Sequence, residues 1–167
     1  MNPKDEQNLY LAIGSLVTNW GFIESNSALV TNALYLNVVI DDRPDRMPMF
    51  LREQHRLIRR SLLDVPTLSD LRDEGINLLD RTAQQRDLRE RFVHSVLTGF
   101  DQSRGIYSFT RLDAKDQEHL ATDWEFDARS FPGLDKRLLS LVAAWSEFTI
   151  KIALRFDGKQ EKENVAA

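Results

Sequence analysis

Leu9, Ile13, Leu16, Trp20, Ile23, Ser27, Val30 and Leu34 follow one another at alternating steps of four and three. That spacing keeps them on one stripe of a helix, and seven of the eight are apolar, so it predicts a helix from about residue 5 to 37. Asp41, Asp42, Pro44 and Asp45 then break the period, as proline and clustered aspartates do in turns. A second helix is predicted from Met49 to Leu63, with Phe50, Leu51, Ile58 and Leu62 facing inward. Pro66 follows it, and Thr67 or Ser69 is placed to cap a third helix. That helix carries Leu68, Leu71, Leu78, Leu79, Phe92, Val93 and Val96 to about residue 97, with Gly99 just past its end.

The period then changes. From Leu120 to Asp127 the chain mostly alternates, with Trp124 and Phe126 on one face and acids on the other, the mark of a half-buried strand. Ile106 to Leu112 is rich in strand-forming residues, and Ser103-Arg104-Gly105 before it reads as a turn. A small antiparallel β-meander is predicted over about residues 98–127. Leu138, Leu141, Trp145, Phe148, Ile152 and Phe156 restore the helical stripe in a fourth helix. The expected fold is mainly α: an up-and-down bundle of about four long helices with the meander inserted before the last. One domain is expected over residues 1–157, followed by a polar, flexible tail at 158–167.

Composition narrows the class. The chain of 167 residues is 42% hydrophobic and 29% charged, with seven glycines and five prolines, as a folded domain is. It has no cysteine, which excludes disulfides and thiolate metal sites. Asp5 and Glu6 are unlike a secretory leader, and no stretch approaches the roughly 18 uninterrupted apolar residues of a membrane span. A cytoplasmic protein is expected. The formal charge of -4, with a pI near 5.4, argues mildly against nucleic acid contact, since proteins that wrap nucleic acid usually show a basic face and a high pI. Any such contact must be local.

The candidate chemistry lies in Arg86-Asp87-Leu88-Arg89-Glu90-Arg91-Phe92-Val93-His94-Ser95. Four residues separate Arg89 from His94, two apolar residues precede the histidine and a small one follows. This resembles the R-x(4–6)-H motif of HEPN domains, all-helical proteins common in prokaryotic toxin and defence systems, several of them metal-independent ribonucleases. Trp20 and Glu24 midway along the first helix, and the order of long helix, helix, motif helix, variable insert and final helix, also fit. The motif spans about ten residues, whereas the architectural likeness spans most of the chain. One departure stands out: the family usually has asparagine, aspartate or histidine directly after the arginine, and this chain has Glu90.

The resemblance implies metal-independent RNA cleavage by Arg89 and His94 in a homodimer, with RNA and a cognate antitoxin or other protein as partners and no cofactor or metal. The residue types suit that chemistry. A base must take the 2′-hydroxyl proton, an acid must protonate the leaving 5′-oxygen, and positive charge must sit beside the phosphate. Histidine serves either proton-transfer role near neutrality. Arginine's planar fork suits phosphate oxygens. One histidine cannot easily fill both roles at once, so two copies of His94 facing one cleft would be a natural arrangement. Arg86, Arg91 and Ser95 beside the pair, and Arg56 and Arg59 on the second helix, are the expected substrate-binding residues. With Arg52 and Arg60, Arg56 and Arg59 form a basic side of that helix that is either a phosphate-contacting patch or a solvated face.

Two further readings of the same residues stay open. Arg86, Arg89 and Arg91 interleave with Asp87 and Glu90 as on a solvated, salt-bridged helix face, and the whole bundle then serves as a non-catalytic oligomerisation or interaction module or regulator. Glu24, beside the apolar stripe, is either a buried partner for an arginine such as Arg89 or a residue at the core's edge. Regular helix geometry places Arg89 and His94 about 140° apart around the axis, so one cleft for both requires a distorted helix end or a subunit interface. His55 and His119 lack the ligand-spaced partners of a metal site.

Overall fold

The four-and-three stripe becomes helix α1, Pro3–Asn37, in the computed structural model, with Leu9, Leu16, Trp20, Ile23, Val30 and Leu34 all buried. The backbone is described for residues 1–115 and 118–165, and side chains for 1–112 and 120–157. After α1 come α2 (Leu51–Asp64), a 3-10 segment (Pro66–Leu71) and α3 (Arg72–Val93). A three-stranded antiparallel sheet follows, in the order β1 (Ser95–Asp101), β2 (Ile106–Lys115), β3 (Glu118–Asp127). A 3-10 turn at Ala128–Ser130 leads into α4 (Phe131–Val165). This is the mainly helical fold with a meander before the last helix that the periodicities predict. α4 runs on past Gly158, where a polar tail is expected to begin.

The chain divides into two compact units, Met1–Trp20 with Gln84–Leu139, and Gly21–Ala83 with Ser140–Ala167. The second is a ring of helices in which each neighbour is tied by polar bonds around an apolar centre. Ser27 Oγ on α1 donates to Gln54 Oε1 on α2 at 3.1 Å. Arg59 on α2 pairs with Asp80 on α3. Trp145 Nε1 on α4 donates to Thr82 Oγ1 on α3 at 2.9 Å, both residues being fully buried. Thr149 Oγ1 on α4 donates to Asn26 Oδ1 on α1 at 2.9 Å, closing the ring. Ile23, Val30, Ile58, Leu62, Leu79, Phe148 and Ile152 fill the centre.

The other unit is built on the sheet. Tyr107 and Phe109 of β2 are buried, and Phe92 at the end of α3 meets the rings of Phe109, Trp124 and Phe126 edge-on at 5.5, 5.0 and 4.9 Å. Such edge-to-face contacts each contribute about 0.5–1.5 kcal/mol beyond area burial. The Tyr107 hydroxyl donates to the Asp5 carbonyl of α1 at 2.8 Å. Gly105, at a φ of 69°, makes the β1–β2 turn, a left-handed conformation that glycine adopts without steric cost.

Four boundaries differ from the sequence reading. Helix α3 ends at Val93, not near 97, because residues 95–101 pair with β2, from Ser95 opposite Arg111 to Asp101 opposite Ile106. Val96 is therefore an exposed strand residue. Gly99 lies within β1 at an irregularity in the register, opposite Ser108, and ends no helix. Phe50 is 74% exposed because it precedes α2 in extended backbone (φ -91°, ψ 139°), where it cannot share the helix's inward face. Neither Thr67 nor Ser69 caps α3, since Pro66–Leu71 forms a separate 3-10 segment entered from Val65.

Candidate active site

The last turn of α3 and the turn residue that links it to β1 carry the R-x(4)-H segment, within the sheet-bearing unit. Phe92 fixes its orientation: with that ring buried among the sheet's aromatic side chains, the flanking residues turn outward. Val93 and His94 are exposed, and Arg89 and Glu90 are half-buried. The His94 N–H donates to the Glu90 carbonyl at 3.1 Å as the helical ladder ends.

Glu90 joins the two motif residues. Its Oε1 accepts from Arg89 Nη1 at 2.7 Å, and its Oε2 lies 3.1 Å from His94 Nε2. The helical wheel explains how. Glu90 stands about 100° around from Arg89, and His94, one turn further on, only about 40° from Glu90. A carboxylate between them therefore reaches both, which a direct Arg89–His94 contact across about 140° would not allow. Arg89 Nε is buried with no hydrogen-bond partner among the described residues. Its guanidinium is held by one ion pair and not by a full set of bonds, so a stronger acceptor can redirect it.

This arrangement has a definite chemical capacity. With Nε2 turned to Glu90, the Nδ1 of His94 is the nitrogen left to exchange a proton with a bound molecule. A carboxylate on one imidazole nitrogen fixes the tautomer and ring orientation at the other. The half-exposed Arg89 brings positive charge to the same corner.

The remaining predicted residues separate into groups. Arg86 lies 3.6 Å from Asp87 and Arg91 is exposed, both on the motif helix. Ser95 Oγ accepts from Trp124 Nε1 at 2.9 Å, so it braces β3 against the start of β1 with the hydroxyl foreseen for substrate. Arg56 and Arg59 lie on α2 in the bundle unit, where Arg59 is tied to Asp80. Arg60 is spent on Asp64 at 2.8 Å and Asp42 at 3.5 Å, and Arg52 and Arg56 are exposed. Glu24 is exposed, and the carboxylate on Arg89 is that of Glu90.

Two features were not foreseen. The connection between α1 and α2 walls a cavity of about 510 Å3 in the bundle unit, with Ile40 and Leu57 at its floor and Arg46, Met49, Phe50 and Arg56 around it. Gln54, 7% exposed, donates from Nε2 to the carbonyls of Pro48 at 3.4 Å and Met49 at 3.3 Å, holding that connection from beneath. A polar residue between inward-facing apolar positions of α2 was the only signal for it. His55 stacks on Trp145 with ring centres 5.8 Å apart. The side chain of His119 lies outside the described residues. Among the described residues no three histidine, aspartate or glutamate side chains converge as metal ligands would, and no helix is long and apolar enough to cross a membrane. Comparison with known proteins returns no matching family model, no matching curated protein and no matching solved structure.

Proposed function

We propose that the chain is an HEPN-like, metal-independent endoribonuclease of a toxin or defence type, acting in the cytoplasm. The observation that carries the proposal is the double engagement of Glu90, which brings a histidine and an arginine 140° apart on the helix to one carboxylate. In the reaction His94 Nδ1 takes the proton of the RNA 2′-hydroxyl. Glu90 holds the imidazole in place and stabilises the cation that forms. Arg89 turns from Glu90 to the phosphate as negative charge builds there. The leaving 5′-oxygen needs an acid, and His94 of a second copy would supply it in a homodimer. Glu90, the departure from the family's usual residue, becomes the orienting group of the base.

The experiment is incubation of a mixed-sequence RNA with purified protein in EDTA, followed by analysis of the product ends. Transfer to the 2′-oxygen predicts 2′,3′-cyclic phosphate and free 5′-hydroxyl ends. Products with 5′-phosphate ends would contradict the mechanism.

A second reading rests on the same carboxylate. Glu90 neutralises Arg89 and engages His94, as a salt-bridged helix face does, and the protein then works as a non-catalytic interaction module or regulator for an antitoxin or other protein. Intact RNA after prolonged incubation with folded protein would favour it.

A further inference from the structure

Between residues 7 and 40 the chain has a single charged residue, Glu24. A helix with one face in water ordinarily carries charge along that face. In the bundle unit the inward stripe of α1 is Ile23, Ser27, Val30, Thr31 and Leu34, all buried. The opposite side holds Phe22, Leu29 and Leu36, exposed by 54, 58 and 68%. These three recur every seven residues, so they form a straight outer seam of their own. Between them stand the small or uncharged Gly21, Ser25, Ala28 and Asn32, and a Cβ added at Gly21 would meet nothing within 4 Å. The bond from Thr149 to Asn26 lays α4 alongside at this level.

We infer that this outer face of α1 in the bundle unit, centred on Leu29, is where a second copy of the chain docks. Three considerations select that occupant. A two-fold axis sets a patch against itself, which a charge-free seam tolerates and a patch of one sign does not. The heptad spacing lets the seam of one copy interleave with that of the other, the small residues admitting the large ones. The face from Gly21 to Asn37, with the adjoining strip of α4, measures roughly 25 by 20 Å, about 500 Å2 per partner, the area of a small specific interface. Nucleic acid or an anionic membrane surface would need basic residues that this seam lacks. The inference stands on the seam and not on the chemistry proposed for His94.

The test is sedimentation velocity on the full chain at micromolar concentration, for wild type and Leu29→Glu, with circular dichroism to show that both are folded. The wild type is expected at twice the 19.3 kDa chain mass. Leu29→Glu, which sets two carboxylates against each other across the axis, is expected to weaken dimerisation about 100-fold or more. Because the chain has no cysteine, Ser25→Cys gives an independent readout: oxidation should link two copies through the seam, whereas Asn77→Cys, at an exposed position of α3 across the ring of the same unit, should not link them. A monomeric wild type overturns the inference, as does a dimer that survives Leu29→Glu undiminished. RNA cleavage is scored separately on the same samples. A seam dimer without cleavage sinks the nuclease proposal alone, and cleavage by a monomer sinks the seam together with the acid drawn from a second copy.

Discussion

His94 Nε2 lies 3.1 Å from Glu90 Oε2, one helical turn away, while the other oxygen of the same carboxylate accepts from Arg89 at 2.7 Å. The residue that departs from the motif this sequence resembles is thus the one that contacts both Arg89 and His94. Glu90→Gln tests the role proposed for it, because the amide keeps the shape and loses the charge that the mechanism uses to orient and stabilise the imidazole as it takes a proton. Cleavage by this variant is expected to fall about 10- to 100-fold in kcat with KM little changed. An unchanged kcat would show that Glu90 does no orienting.

The bundle unit rests on a buried hydrogen bond between Trp145 Nε1 and Thr82 Oγ1, at 2.9 Å. Thr82→Val preserves the shape and strands the indole N–H. The expected loss is about 1–3 kcal/mol, read as a lower midpoint in urea with the slope unchanged. Thr82→Ser, which restores the acceptor, should recover part of it. Equal stability of Thr82→Val and wild type would mean that the bond contributes nothing.

Gly75 on α3 is there for space and not for backbone freedom. An added Cβ would meet Leu62 Cδ1 and stand 2.8 Å from Phe148 Cζ, between α2 and α4. Gly75→Ala gains about 1 kcal/mol of helix propensity but forces the packing apart at a cost of about 1–3 kcal/mol. A net lower melting temperature is expected. A higher one would show that Leu62 swings aside freely.

The meander should be acid-sensitive. The Asp101 carboxyl is held below its usual range by the Ser103 hydroxyl first, then by the Arg104 N–H, and Asp127 is held below by Arg129. Because both values are lowered in the folded state, their contribution is complete above the ordinary value of 3.8 and is lost as pH falls through the folded values. Thermal melts from pH 5 to 2.5 should therefore decline, less steeply in Asp101→Asn. A variant with the wild-type pH slope would contradict this.

Much of the fold is legible in the sequence because two periods are cleanly separated. The stripes of α1 and α4 name the buried residues almost completely, since each is long enough for a three-and-four spacing to be unmistakable. Trp124 and Phe126 mark β3 in the same way, by alternation. The α3–β1 junction escapes that logic: Val93 and Val96 continue a helical spacing, while pairing with β2, a long-range effect, claims residues 95–101 for the sheet. Of the candidate site, Arg89 and His94 were visible as a spacing, but the bridging place of Glu90 depends on rotamers that spacing does not encode. Ser95, read as a substrate contact, is taken by Trp124, a partner 29 residues away. The outer seam of α1 was present as a run with one charge, and only the burial of the opposite stripe shows that this face is uncovered.

The most direct test of the account is the initial rate of RNA cleavage in EDTA by wild type and by His94→Ala, both folded by circular dichroism. His94 is exposed, so its loss should leave the fold intact. The account predicts cleavage by wild type and a fall of at least about 100-fold in the variant, the scale set by loss of a general base. Equal rates in the two proteins, or no cleavage by either, would contradict it.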